Sequence, residues 1–289
     1  MFRDYYFRMT ERCYFSILSG MSKGATWKAL ASSHLWIWIL PSVCLMVMAL
    51  VYFTDTNLEL FLGINGFSLY TGDMFWAVLT FFSDGLVSFV ILLPWIKKRP
   101  QLIWAVLLAT LLSTLFSQGI KRWVNVARPP QILPADAFHL IGPDWGQYSF
   151  PSGHASMIFI LAGVFAFTTS KAWLRCSLIF GASLIALSRI VVGVHWPLDV
   201  LAGAAIGWIA VWLGLSLSQR LKWGWGSLGQ KILGAVLLAS CLLLFVVDYS
   251  GYENIMPFQR LIALVFFILG LREYLKIFGF RFFSKGGPA

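Results

Sequence analysis

The sequence predicts an all-α polytopic membrane protein, a bundle of apolar helices, on three observations. Of its 289 residues, 59% are hydrophobic and 12% are charged, against about 25% charged in an ordinary soluble domain. The apolar residues run together in stretches close to the roughly 20 residues needed to cross a bilayer. The positive charges gather between alternate stretches, as the positive-inside rule requires.

Eight stretches qualify: roughly His34–Phe53, Met74–Ile96, Leu102–Ile120, Ser152–Thr169, Leu174–Val194, Pro197–Ser216, Ile232–Val247 and Phe258–Leu271. The fourth and the eighth are short. The eighth runs on towards Phe283, where Arg272, Lys276 and Arg281 alternate with Phe and Tyr in the pattern of an interfacial helix. With both termini cytoplasmic, 17 of the 22 Lys and Arg fall on the cytoplasmic side, and Lys121, Arg122, Arg128, Arg189 and Arg260 remain outside. The loops thus account for the net charge of +10, and no nucleic-acid partner is expected. Cys13, Cys44, Cys176 and Cys241 form no CxxC pair and read as small hydrophobic residues, not disulfides or metal ligands. The mixed, basic segment up to Ser33 is not expected to be a cleavable signal peptide.

Four of the five outer cations lie close to three segments predicted at one outer face. The first is Lys121-Arg-Trp-Val-Asn-Val-Ala-Arg128-Pro129, at the end of the third stretch. The second, Pro151-Ser152-Gly153-His154, opens the fourth. The third runs from Ser188-Arg189 through His195 to Asp199 at the start of the sixth. Ser152 is an N-cap candidate, Gly153 lets a ligand approach the backbone, and Pro197 suits a first helical turn. Two helix N-termini, which favour anions, are therefore expected to face one region. Lys121, Arg128 and Arg189 add three cationic donors, each charge-assisted hydrogen bond contributing about 1.5–3 kcal/mol. Such a set holds a phosphate without a metal ion, and no cofactor is expected. His195 lies one helical turn before Asp199, whose carboxylate is expected to fix the imidazole tautomer and leave the other nitrogen free to attack phosphorus. His154 is the expected proton donor to the leaving oxygen and the later activator of water.

The ordered set resembles the three-part signature of the type 2 phosphatidic acid phosphatase superfamily: Lys, six residues, Arg-Pro; then Pro-Ser-Gly-His; then Ser-Arg, five residues, His, three residues, Asp. The resemblance covers roughly Met74–Ser216. It implies His195 as nucleophile with Asp199 as its orienting partner and His154 as acid/base. It further implies Lys121, Arg128, Ser152, Gly153 and Arg189 as phosphate-binding groups, no metal, and a phosphohistidine intermediate. It also implies a six-helix core, here 34–218, preceded by a basic cytoplasmic or interfacial segment, 1–33. Two added transmembrane helices and a basic tail, 219–289, would follow. The implied substrate is a membrane lipid phosphate: undecaprenyl diphosphate, phosphatidylglycerol phosphate, phosphatidic acid or a lipid A phosphate. The implied setting is a bacterial inner membrane with the site outside the cytoplasm.

Three other functions share some of these features. A lipid-to-lipid phosphotransferase would use the same site. A transporter would suit many spans, but no internal repeat is evident. A vanadate-dependent haloperoxidase shares the signature but is soluble. Arg122 reads as a snorkelling anchor, and His34 and His139 as interfacial or loop residues. The polar-aromatic stretch Pro130–Tyr148 covers the site, contacts the lipid head group or simply connects. Asp84, near the middle of the second stretch, needs an interior partner, either near Thr110, Ser113 or Gln118 or at the substrate pocket.

Overall fold

Lipid offers no hydrogen bonds to a backbone, so a chain this apolar must satisfy its own N–H and C=O groups within helices. The computed structural model describes residues 35–280 except 145, 147 and 249, and the regular structure there is entirely helical. The basic segment 1–33, His34, Arg281 and Lys285 lie outside the described residues.

Helix α1 spans Leu35–Phe53, and two short helices follow, α2 (Asn57–Asn65) and α3 (Ser68–Thr71). Next come α4 (Asp73–Phe81), α5 (Gly85–Leu92) with a 3₁₀ turn over Leu93–Trp95, and α6 (Pro100–Val124). A single turn, α7 (Pro129–Ile132), precedes α8 (Gly153–Thr168), α9 (Ala172–Val191) and α10 (Pro197–Arg220). The described chain closes with α11 (Ser227–Val246) and α12 (Met256–Leu275). Helix α10 is central and packs on α6, α8 and α1, while α8 also packs on α9. Helices α11 and α12 pack on each other and on the α5 side of the bundle.

Each of the eight expected stretches contains helix, with three corrections. The second is not one continuous span: α4 and α5 meet at a 63° bend. The Asp84 side chain accepts a hydrogen bond from Leu86 N–H and caps α5, so an apolar run that reads as one helix breaks where a capping residue offers an alternative. The fourth, α8, has 16 residues, or about 24 Å at 1.5 Å per residue, short of a 30 Å hydrocarbon core. It is buried on nearly every side, so neighbouring helices cover it in place of lipid. The eighth lies within α12, which carries Arg260, Arg272 and Glu273. Among the described helices, five are long and apolar enough to cross a membrane, or six with the bent pair as one, and α12 is not among them.

Helices α8 and α10 touch backbone to backbone. A Cβ on Gly203 would lie 2.3 Å from the Ser152 carbonyl oxygen, and one on Gly207 would lie 2.2 Å from that of Ser156. Two glycines four residues apart are the small-xxx-small device that lets membrane helices approach closely. Ser156 Oγ donates to the Gly203 carbonyl at 2.9 Å across the same contact. Gly207→Ala is therefore expected to force α8 and α10 apart and to cost about 1–3 kcal/mol, the usual scale of overpacking. Thermal unfolding of the purified variant in detergent should show a lowered midpoint; an unchanged one would contradict this packing.

Candidate functional site

At one end of the bundle, α6 and α9 finish and α8 and α10 begin. Asn125, in the left-handed conformation at φ 50°, ends α6, and the chain then passes Arg128 on the way to α7. Ser152 caps α8, its Oγ accepting from Ala155 N–H at 3.3 Å. Pro197 stands at the first turn of α10, and the Asp199 carboxylate accepts from Trp196 N–H at 2.8 Å. Ser152 N–H donates to the Asp199 carbonyl at 3.0 Å and ties the two helix starts together. Helix α9 ends at Val191, three residues earlier than expected, so Arg189 lies in its last turn.

His195 is 1% exposed. Its Nδ1 lies 3.2 Å from Asp199 Oδ2 and 3.3 Å from Ser149 Oγ. Its Nε2 lies 3.3 Å from Arg128 Nη1. A guanidinium only donates, so Nε2 carries the lone pair and Nδ1 carries the hydrogen that Asp199 accepts. Ser149 Oγ also donates to Asp199 Oδ2. Burial, and then the positive charges of Arg128, Arg189 and Lys121, hold the His195 imidazole well below its ordinary pKa. It is thus a neutral base at neutral pH.

The cations surround this dyad. Arg128 Nη1 also donates to the Val194 carbonyl at 3.1 Å. Arg189, 1% exposed, donates from Nη1 to Thr80 Oγ1 at 2.7 Å. Lys121 Nζ donates to the Tyr148 carbonyl at 2.8 Å. Arg128 Nε and Arg189 Nε and Nη2 are buried with no hydrogen-bond partner among the described residues, donors that an oxyanion would satisfy. Gly153 is exposed, and a Cβ there would meet nothing within 4 Å, so the α8 N-terminus is open to a ligand. His154 Nε2 lies 3.8 Å from Asp84 Oδ2, and the charges of Arg189, Arg128 and Lys121 act on it. All eight expected site residues thus lie at the same end of the bundle. Among the described residues, no group of three or more His, Cys, Asp or Glu is gathered as metal ligands.

Sequence reasoning missed three participants. Ser149 bonds to Asp199 from 50 residues away, and Thr80 anchors Arg189 from 109 residues away; neither carries a local signal. Tyr252, between α11 and α12, is buried with its ring against Gly142, and it interacts electrostatically with Arg189. Asp84, for which two interior settings were expected, sits at the helix break beside His154, the setting at the substrate pocket. His139 N–H donates to Asn65 Oδ1 at 2.8 Å, and His139 Nε2 pairs with Asp73 at 2.9 Å.

Comparison with known proteins follows the same lines. The sequence profile of the PAP2 superfamily matches residues 102–223. The crystal structure of Aquifex aeolicus LpxE is 34% identical, with a TM-score of 0.50, over 55% of this chain and 94% of that one. The undecaprenyl-diphosphatase of Sulfolobus acidocaldarius is 45% identical over 73 residues, 25% of this chain but only 35% of that protein. The lipid A 4′-phosphatase of Bacteroides thetaiotaomicron is 25% identical over 182 residues, 59% of this chain and 80% of that protein.

The depressed His195 pKa gives a signed expectation. An unfolded chain takes up this proton near pH 6.5 and the folded one only below it, so acidification through 6.5 removes stability. In a histidine-labelled sample, NMR should find the His195 ring neutral at pH 6.5, with its midpoint lower; a midpoint at or above 6.5 would contradict the arrangement.

Proposed function

The chain belongs to the PAP2 superfamily, and on that premise we propose that it hydrolyses the phosphate monoester or diphosphate of a membrane lipid at the non-cytoplasmic face of a bacterial inner membrane. The observation that carries the reading is the His195–Asp199–Arg128 geometry, a neutral imidazole with its lone pair beside an anion-binding guanidinium. Residues 34–218 form the phosphatase core in this proposal, and 219–289 are an addition to it.

The chemistry follows in two steps. The lipid phosphoryl group binds Arg128, Arg189 and Lys121 and the open start of α8 at Ser152 and Gly153. His195 Nε2 attacks phosphorus, the bond from phosphorus to the lipid oxygen breaks, and His154 gives its proton to that oxygen. The imidazolium left on His195 is stabilised by Asp199, as in a catalytic triad. Water then attacks the phosphohistidine, His154 takes the water proton, the phosphorus–nitrogen bond breaks and inorganic phosphate leaves. The side chains supply the positive charge that stabilises the transferring group, so no metal enters either step. The relatives' names bring undecaprenyl diphosphate and lipid A into the candidate substrates, beside phosphatidylglycerol phosphate and phosphatidic acid.

His195→Ala and His154→Ala should abolish phosphate release from a panel of lipid phosphates while the protein still inserts. Asp199→Asn should lose roughly 10³-fold or more in kcat, by analogy with the triad aspartate. Vanadate should inhibit and EDTA should have little effect. Normal turnover by purified His195→Ala, or EDTA inhibition reversed by Mg²⁺, would overturn the mechanism.

A further inference from the structure

Asp84 lies outside the three motifs and outside the 102–223 match to the superfamily, and it divides its two carboxylate oxygens between two tasks. Oδ1 accepts from Leu86 N–H at 2.8 Å and caps α5, while Oδ2 faces His154 Nε2 at 3.8 Å. The cap alone does not account for this placement. Asn and Ser cap a helix about as well, and a charged carboxylate is costly inside a membrane protein unless it has a partner. Its surroundings supply that partner. Arg189, Arg128 and Lys121 all act on His154 with positive charge, and Asp84 brings a negative charge to the ring. The same carboxylate interacts with Arg189, so it lies between the phosphate-binding and proton-handling sides of the site.

A proton donor must keep its proton until the leaving oxygen needs it, and three neighbouring cations oppose that. We infer that Asp84 is a positioning residue for leaving-group protonation: its carboxylate aligns His154 through Nε2 and supports the imidazolium, whose other nitrogen faces the departing oxygen. As the bond from phosphorus to the lipid oxygen breaks, the Nδ1 proton passes to that oxygen and His154 becomes the neutral base that later takes a proton from water. The inference rests on the phosphatase reading above and adds to it a residue from the broken second span. It also gives the break a purpose, since a continuous helix would carry the residue 84 side chain with its neighbours and leave no N-cap to turn it.

The test separates charge at His154 from charge at the phosphate. Phenyl phosphate and p-nitrophenyl phosphate share a phosphoryl group and differ in how much the leaving oxygen needs a proton. General-acid catalysis contributes about 10²–10⁴-fold where that need is real. Asp84→Asn keeps the cap and removes the charge. It should lower kcat/KM for phenyl phosphate about tenfold and for p-nitrophenyl phosphate by no more than about twofold, a partial loss of that acid contribution. Asp84→Glu should move the ratio back towards the wild-type value. Both substrates are assayed on one preparation, so an inactive fraction cancels from the ratio. Should Asp84→Asn fail to insert, Asp84→Ser, which also caps, takes its place with the same expected ratio. An equal loss on both substrates would assign Asp84 to phosphate binding through Arg189 and overturn the inference, as would no loss at all. Phosphate released by the wild-type protein neither from these two substrates nor from the panel of lipid phosphates would bring down the phosphatase reading itself.

Discussion

The contact between the first turns of α8 and α10 fixes everything else at this site. Ser152 N–H donates to the Asp199 carbonyl, and Gly203 and Gly207 let the two backbones meet without side chains between them. Two helix N-termini are thereby held side by side, one presenting Ser152, Gly153 and His154, the other anchoring Asp199 and, just before it, His195. A shift of about 1 Å in that contact would matter, because catalytic geometry tolerates little displacement. The remaining parts approach the same point from elsewhere: Arg189 from the last turn of α9, Lys121 from the end of α6, and Arg128 from the chain that leaves it.

Electrostatics explains why so much positive charge gathers at this end of the bundle. Arg128 and Arg189 are buried, and each keeps N–H groups without a hydrogen-bond partner among the described residues, donors that an anionic ligand would satisfy. The same cations keep His195 neutral, so one set of charges both attracts the phosphoryl group and leaves its attacker unprotonated. Asp199 directs that attacker, bonded by Ser149 and Trp196 on one carboxylate oxygen. A buried carboxylate with three donors stays in one geometry and passes that order to the imidazole.

Much of this was legible because it is local. Ser152 as a cap, Pro197 in a first turn and His195 four residues before Asp199 are short-range relations, and each holds in the structure. The helical bundle was legible from apolar run length. Long-range relations were not. Ser149, Thr80 and Tyr252 enter through tertiary packing, and no spacing marks them. The break at Asp84 lies between these cases. Ser83-Asp84-Gly85 is a capping residue followed by glycine, a helix-start signal, but it sits in an apolar run long enough to read as one span. The shortness of α8 was legible, but its reason was not: run length presumes lipid on all sides, and this 16-residue helix is covered by protein.

The central claim is that His195 carries the phosphoryl group between lipid and water. A rapid acid-free quench of the enzyme turning over a ³²P-labelled lipid phosphate tests it most directly. The account predicts label on the peptide containing His195, stable to base and lost in acid, and absent from the His195→Ala protein. Label on another residue, or a reaction with full turnover and no label on His195, would contradict it.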